Sequence, residues 1–110
     1  MLIHESLSSG RWQTLSLMEQ LGNIGSEVGR TAKWWTKDRK IAEGASDRAL
    51  ELIDLTLADP RWRGRRKEIA RARELFCDAM YGSKQFNTTL ADMDAYFFHF
   101  AVAANSKRLH

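Results

Sequence analysis

Apolar side chains recur along this chain at intervals of three and four residues, the spacing that lines one face of an α-helix. Leu15, Met18, Leu21, Ile24, Gly25, Val28, Ala32 and Trp35 keep that spacing apart from the adjacent Ile24 and Gly25. They predict a first helix over residues 9–35, with Ser9 as its N-cap. Ile41, Ala45, Ala49, Leu52, Ile53 and Leu57 predict a second over residues 38–58, which Gly44 weakens, with Ser46 as an alternative start. Asp59 and Pro60 end it, because the residue before proline is biased away from the helical region. Asp59 is also placed to cap a third helix with Pro60 at its first position. That helix runs on Ile69, Ala72, Phe76, Ala79 and Met80 to Tyr81, where Gly82 supplies a left-handed stop. After the loop "GSKQFNT", Thr88 is expected to cap a fourth helix built on Leu90, Met93, Phe97, Phe100, Ala101 and Ala104, ending near Lys107.

Only one proline occurs, β-branched residues are sparse, and no Asn-Gly or Asp-Gly hairpin signal is present. The expected fold is therefore all-α: an antiparallel up-down four-helix bundle forming a single domain over residues 1–110.

Composition narrows the class. A chain of 110 residues that is 44% hydrophobic and 28% charged can bury a sizeable core and is not of disordered type. Cys77 is the single cysteine, which leaves no disulfide framework and suits a reducing, cytoplasmic setting. The opening "MLIHESLSSGRW" lacks the basic and then apolar segments of a secretory signal, and no apolar run approaches a membrane span.

The formal charge is +3, but it is unevenly spread. Residues 37–60 carry four basic and six acidic side chains, whereas residues 61–85 carry eight basic and three acidic ones. The stretch "PRWRGRRKEIARARELF" holds most of the excess. On a helical wheel, Arg63, Lys67 and Arg71 point away from the face centred on Ile69 and Phe76. Arg65, Arg66 and Arg73 fall within about 60° of Ile69, beside the core seam. The outer set is expected either to be a solvated face or to bind phosphates through charge and counterion release. The inner set is expected to pair with carboxylates on the first two helices, from among Glu19, Glu27, Glu43, Glu51 and Asp54.

Gly22, Gly25 and Gly29 form one stripe on the first helix, and each glycine there costs about 1 kcal/mol relative to alanine. Close approach of another backbone would offset them, either within the bundle or across a subunit interface. Trp12, Trp34, Trp35 and Trp62 lie near predicted helix ends. Adjacent Trp34 and Trp35 point about 100° apart, so one should lie outside the main core. Trp34 and Trp62, with the glycine stripe, are the candidate interface residues of a homo-oligomer.

Candidate chemistry is thin. His4 and His110 are near-terminal or terminal, and His99 sits within "YFFHF", where it reads as a packed residue and not a ligand. No HExxH or Glu-xx-His pair is present, so no metal site and no cofactor are expected. Cys77 reads as a small core residue.

"EQLGNIGSEVGR", "DRALELIDLTLADPRW" and "RRKEIARARELF" resemble segments of small bacterial four-helix-bundle proteins. That group includes the family associated with intervening sequences of 23S ribosomal RNA and the accessory proteins of diversity-generating retroelements. The resemblance covers the whole chain as helix order and length. It implies homo-oligomeric assembly and a basic surface toward nucleic acid, for which Arg63, Arg65, Arg66, Lys67, Arg71 and Arg73 are the candidates. Helical ribonucleases of the HEPN class instead carry an arginine followed by four to six residues and a histidine. Before His110 that arginine is replaced by Ala103, Ala104 and Asn105, and before His99 by Asp92, Met93 and Asp94. The expected function is a non-enzymatic assembly or adaptor module with a nucleic-acid or protein partner. A ribonuclease or toxin-antitoxin component is the alternative.

Overall fold

The computed structural model describes residues 10–82 and 88–108, with side chains described as far as residue 100. Among them are four helices and no strand: α1 (Leu17–Trp34), α2 (Arg39–Leu57), α3 (Arg66–Tyr81) and α4 (Leu90–Arg108). Short 3₁₀ segments at Trp12–Thr14 and Pro60–Arg65 precede α1 and α3.

Local chemistry sets each boundary. Ser16, not Ser9, caps α1: its hydroxyl accepts from the Glu19 N–H while the Glu19 carboxylate accepts from the Ser16 N–H. This reciprocal box satisfies two otherwise orphaned donors, and it starts the helix eight residues later than apolar spacing predicts. Ser9 lies outside the described residues. Asp38 caps α2 through the Ile41 N–H. Asp59 caps as expected, but what it caps is the 3₁₀ segment led by Pro60, and α3 proper begins at Arg66. Gly82 ends α3 at φ 69°, in the left-handed region where a side chain would be strained. Thr89 and Asp92 form a second reciprocal box at the start of α4, so the cap is one residue beyond Thr88.

Consecutive helices run antiparallel, and α4 closes the ring against α1. Glu27 with Arg48 ties α1 to α2 and Asp54 with Arg73 ties α2 to α3, while Gly25 with Phe97 and Gly29 with Asp94 run in opposite chain sense along α1 and α4. The core is drawn from all four helices: Leu21, Ile24 and Val28; Ala49, Leu52 and Ile53; Ile69, Ala72 and Phe76; Met93 and Phe97. Two departures from apolar spacing stand out. Ile41 is 42% exposed. Gln20, Glu27, Thr31, Ser46 and Thr56 are buried polar residues on the inward faces of α1 and α2. Glu27 is held by Arg30 at 2.7 Å and by Arg48 of α2, so its partners come from α1 and α2 and not from α3.

The glycine stripe is an intrachain seam. A Cβ built on Gly25 would stand 2.8 Å from Phe97 Cβ and 3.3 Å from the Phe97 carbonyl oxygen. One on Gly29 would meet the Asp94 Oδ1 at 2.8 Å, and Gly22 is buried. The three interior glycines with described surroundings should therefore respond differently to alanine. At Gly44 the new methyl meets only Arg48 Nη1 at 3.6 Å. Gly44→Ala is expected to stabilise by about 0.5–1 kcal/mol through backbone entropy. At Gly29 a flexible carboxylate can swing aside, and the change should be near neutral. At Gly25 the obstacle is the backbone and Cβ of α4, so overpacking of about 1–3 kcal/mol outweighs the helix-propensity gain. Urea titration of the three variants checks the order. A stabilised Gly25→Ala would show that α4 does not sit this close.

Candidate nucleic-acid interface

The basic stretch does not continue as one α-helix from Pro60. Trp62 interrupts the helical path at φ −104°, ψ 22°, and Arg65 stands at φ −111°, ψ 3°. The angular phase counted back from Ile69 therefore fails before Arg66. The predicted inner arginines accordingly separate. Arg65 is exposed and pairs locally with Glu68 at 3.0 Å, not with α1 or α2. That bond is the main reason its guanidinium holds its proton more tightly than usual. Arg66 is exposed and donates to the Leu57 carbonyl at 3.0 Å, with no carboxylate partner among the described residues. Arg73 does reach Asp54 of α2 at 3.0 Å, but the two side chains are 38% and 57% exposed. A pair this wet contributes about 0–1 kcal/mol.

Within the basic stretch, Arg61 meets a buried carboxylate. Asp59 is 1% exposed, and Arg61 Nη2 approaches its Oδ2 to 2.8 Å. The same guanidinium donates to the Leu15 carbonyl and lies 4.4 Å from the Trp62 ring centre. Gln20 ties the group together. Its amide donates to the Trp12 carbonyl at 2.9 Å and, at a longer 3.4 Å, to Asp59 Oδ2, while its oxygen accepts the Trp62 indole N–H at 2.8 Å. Trp12, wholly buried, donates its own indole N–H to Thr56 Oγ1 at 3.1 Å. Four chain segments are thereby joined at one end of the bundle. The arginine hydrogen bond is the largest influence holding the Asp59 carboxyl below its ordinary value; its burial acts the other way. Sequence reasoning found Asp59 as a cap but missed this cluster, because Gln20, Thr56 and Trp12 come together only in three dimensions.

On the outward side, Arg63 and Lys67 are exposed and contact no partner among the described residues. Arg71 is also exposed, and is engaged by a neighbour. It lines a groove of about 300 Å³ between α3 and α4, together with Glu68, Ala72, Leu75, Met93 and Tyr96. Burial raises the Tyr96 hydroxyl above its ordinary value, and the nearby Glu68 charge adds to this.

Of the remaining candidates, Trp34 is half-buried with the Lys33 ammonium 5.4 Å from its ring centre. Trp35 packs against the core, with Arg39 over one face and Tyr81 at its edge. Trp62 faces Gln20 within the chain. His99 is exposed and not packed, and Cys77 is half-buried at the core margin. Among the described residues no three His, Cys, Asp or Glu side chains converge as metal ligands, and no helix is long and apolar enough to cross a membrane.

The chain matches no family model, no curated protein and no solved structure.

Proposed function

We propose that this chain is a non-enzymatic helical module that binds nucleic acid through the basic side of residues 61–73 and assembles with copies of itself. The reading rests on charge that the fold leaves uncompensated. Arg63 and Lys67 face no described carboxylate, and Arg66 meets only a neutral carbonyl. These three cations fall within five positions at and just before the N-terminal end of α3, where the helix dipole is already positive. Arg66 offsets this by bonding the last carbonyl of α2, whereas Lys67 in the first turn of α3 is placed unfavourably by about 0.3–1 kcal/mol. Phosphate groups would be drawn to the same place by both the side chains and the helix end. Self-association is supported by apolar surface that the described residues leave exposed, chiefly Phe98 at 62% and Tyr81 at 68%. The missing arginine-to-histidine spacing favours binding over RNA cleavage.

Sedimentation velocity with a labelled oligonucleotide, repeated over a salt series, tests both parts. The protein alone should sediment as more than one chain, and the oligonucleotide should co-sediment at low salt. Combining Arg63→Gln, Arg66→Gln and Lys67→Gln should weaken binding and lower the magnitude of the salt slope by about 2 for a single strand. A monomer that binds neither strand form at low salt would reject the proposal.

A further inference from the structure

We infer that the groove between α3 and α4 takes one unstacked nucleobase, so that this module prefers single-stranded to duplex nucleic acid. The inference builds on the nucleic-acid reading above and adds the form of the ligand.

Size is the first support. A groove of about 300 Å³ lies at the lower end of those that hold small molecules and suits one planar ring system. Its lining is the second. Ala72 and Met93 are buried and Leu75 is half-buried, which gives apolar walls. Tyr96 closes one side with 39% of its surface exposed. Edge-to-face contacts with Phe97 and Phe100, at 5.1 and 5.5 Å between ring centres, fix that ring before any ligand arrives. A ring so held loses little freedom when a base stacks on it.

Charge decides which part of a nucleotide enters. The carboxylates of Glu68, bonded to Arg65, and of Asp92, which accepts the Thr89 N–H, line the groove and keep lone pairs that suit a hydrogen-bond donor better than a phosphate. They can accept hydrogen bonds from the exocyclic amines of a base. Cations adjoin it. Arg71 is itself part of the lining, Lys67 precedes it by one helical turn, and Arg63 lies further back on the 3₁₀ segment. A backbone held by Lys67 and Arg71, one turn apart on α3, would bring a splayed base to the groove, whereas a duplex keeps its bases stacked and cannot fill it. Electrostatics alone favours the duplex, whose charge density is higher. A preference for the single strand therefore has to come from the groove.

The experiment is fluorescence anisotropy with a mixed-sequence single-stranded RNA and its duplex of equal length, at low salt. The single strand is expected to bind more tightly. Tyr96→Leu, which keeps an apolar side chain but removes the stacking ring, should weaken single-strand binding about tenfold and leave duplex binding unchanged. Photocrosslinking of the wild-type protein to the same strand carrying 5-bromouridine should mark Tyr96, which needs no variant to fold. Equal or tighter duplex binding, a silent Tyr96→Leu, or crosslinks confined to other residues would overturn the inference. Those results would leave electrostatic nucleic-acid binding standing and remove the groove from it. No binding to either form would remove the nucleic-acid reading together with this one.

Discussion

Trp12→Ala is expected to destabilise the protein by about 3–5 kcal/mol, a large share of the total stability of a domain this size. The indole is wholly buried although it lies before the first α-helix. Its loss leaves a cavity among α1, α2 and the 3₁₀ segment before α3, and leaves Thr56 without its indole donor. Trp12→Phe separates the two effects. It retains most of the ring volume and loses only the N–H, so about 1–2 kcal/mol is expected. Urea unfolding followed by circular dichroism measures both. A loss below about 1 kcal/mol for Trp12→Ala would mean that residues 10–15 are an appendage and not part of the core.

Arg61→Ala should come next, at about 2–3 kcal/mol at neutral pH. Breaking a buried ion pair from one side typically costs about 3–5 kcal/mol. The lower figure applies because the Arg61 side chain is 39% exposed and water can reach the carboxylate it leaves behind. The pH dependence distinguishes this from a packing effect. In the wild type the Asp59 carboxyl sits below its ordinary value of 3.8. Its contribution is fully present above 3.8 and is lost as pH falls through the lower folded value. Without the Arg61 guanidinium the largest lowering influence is gone, while burial and the bonds from the residue-61 backbone N–H and Gln20 remain, so the carboxyl shifts upward from its wild-type position. The gap between wild type and variant should therefore shrink between pH 7 and pH 3. Asp59→Asn should flatten the corresponding part of the wild-type acid response. A gap of constant size across that range would show that the ion pair is not the cause.

Helix number, order and the α3 core face were legible from apolar spacing, because Ile69, Ala72, Phe76 and Met80 alone define that stripe. The Asp59-Pro60 and Gly82 boundaries were legible as well, since each has a local steric cause. The start of α1 was also present in the sequence, as Ser16 followed three residues later by Glu19, but an earlier serine before the apolar series obscures it. Ile41 misled because it stands about 80° from the centre of the buried face of α2. Polar residues were the main blind spot. Gln20, Thr31 and Thr56 occupy inward positions that a hydrophobic pattern treats as gaps; Gln20 and Thr56 find partners on other segments, and Thr31 bonds back to the Glu27 carbonyl of its own helix. The basic surface was visible as composition. Its division into paired and unpaired cations was not, because the 3₁₀ segment shifts the angular phase and the partners are set by tertiary distance.

The seat of Phe97 against Gly25 bears on how the protein is made. It joins the first helix to the fourth, across more than 70 positions of chain. Bringing residues that far apart together costs about 4 kcal/mol of loop entropy in the absence of other contacts. On the ribosome the chain emerges at about 5–20 residues per second, so α1 to α3 are exposed for seconds before α4 can reach the notch. During that interval the core side of Ile24 and Val28 faces solvent. The nascent three-helix intermediate is thus the stage at which this protein is most open to chaperones and to misassembly with its neighbours.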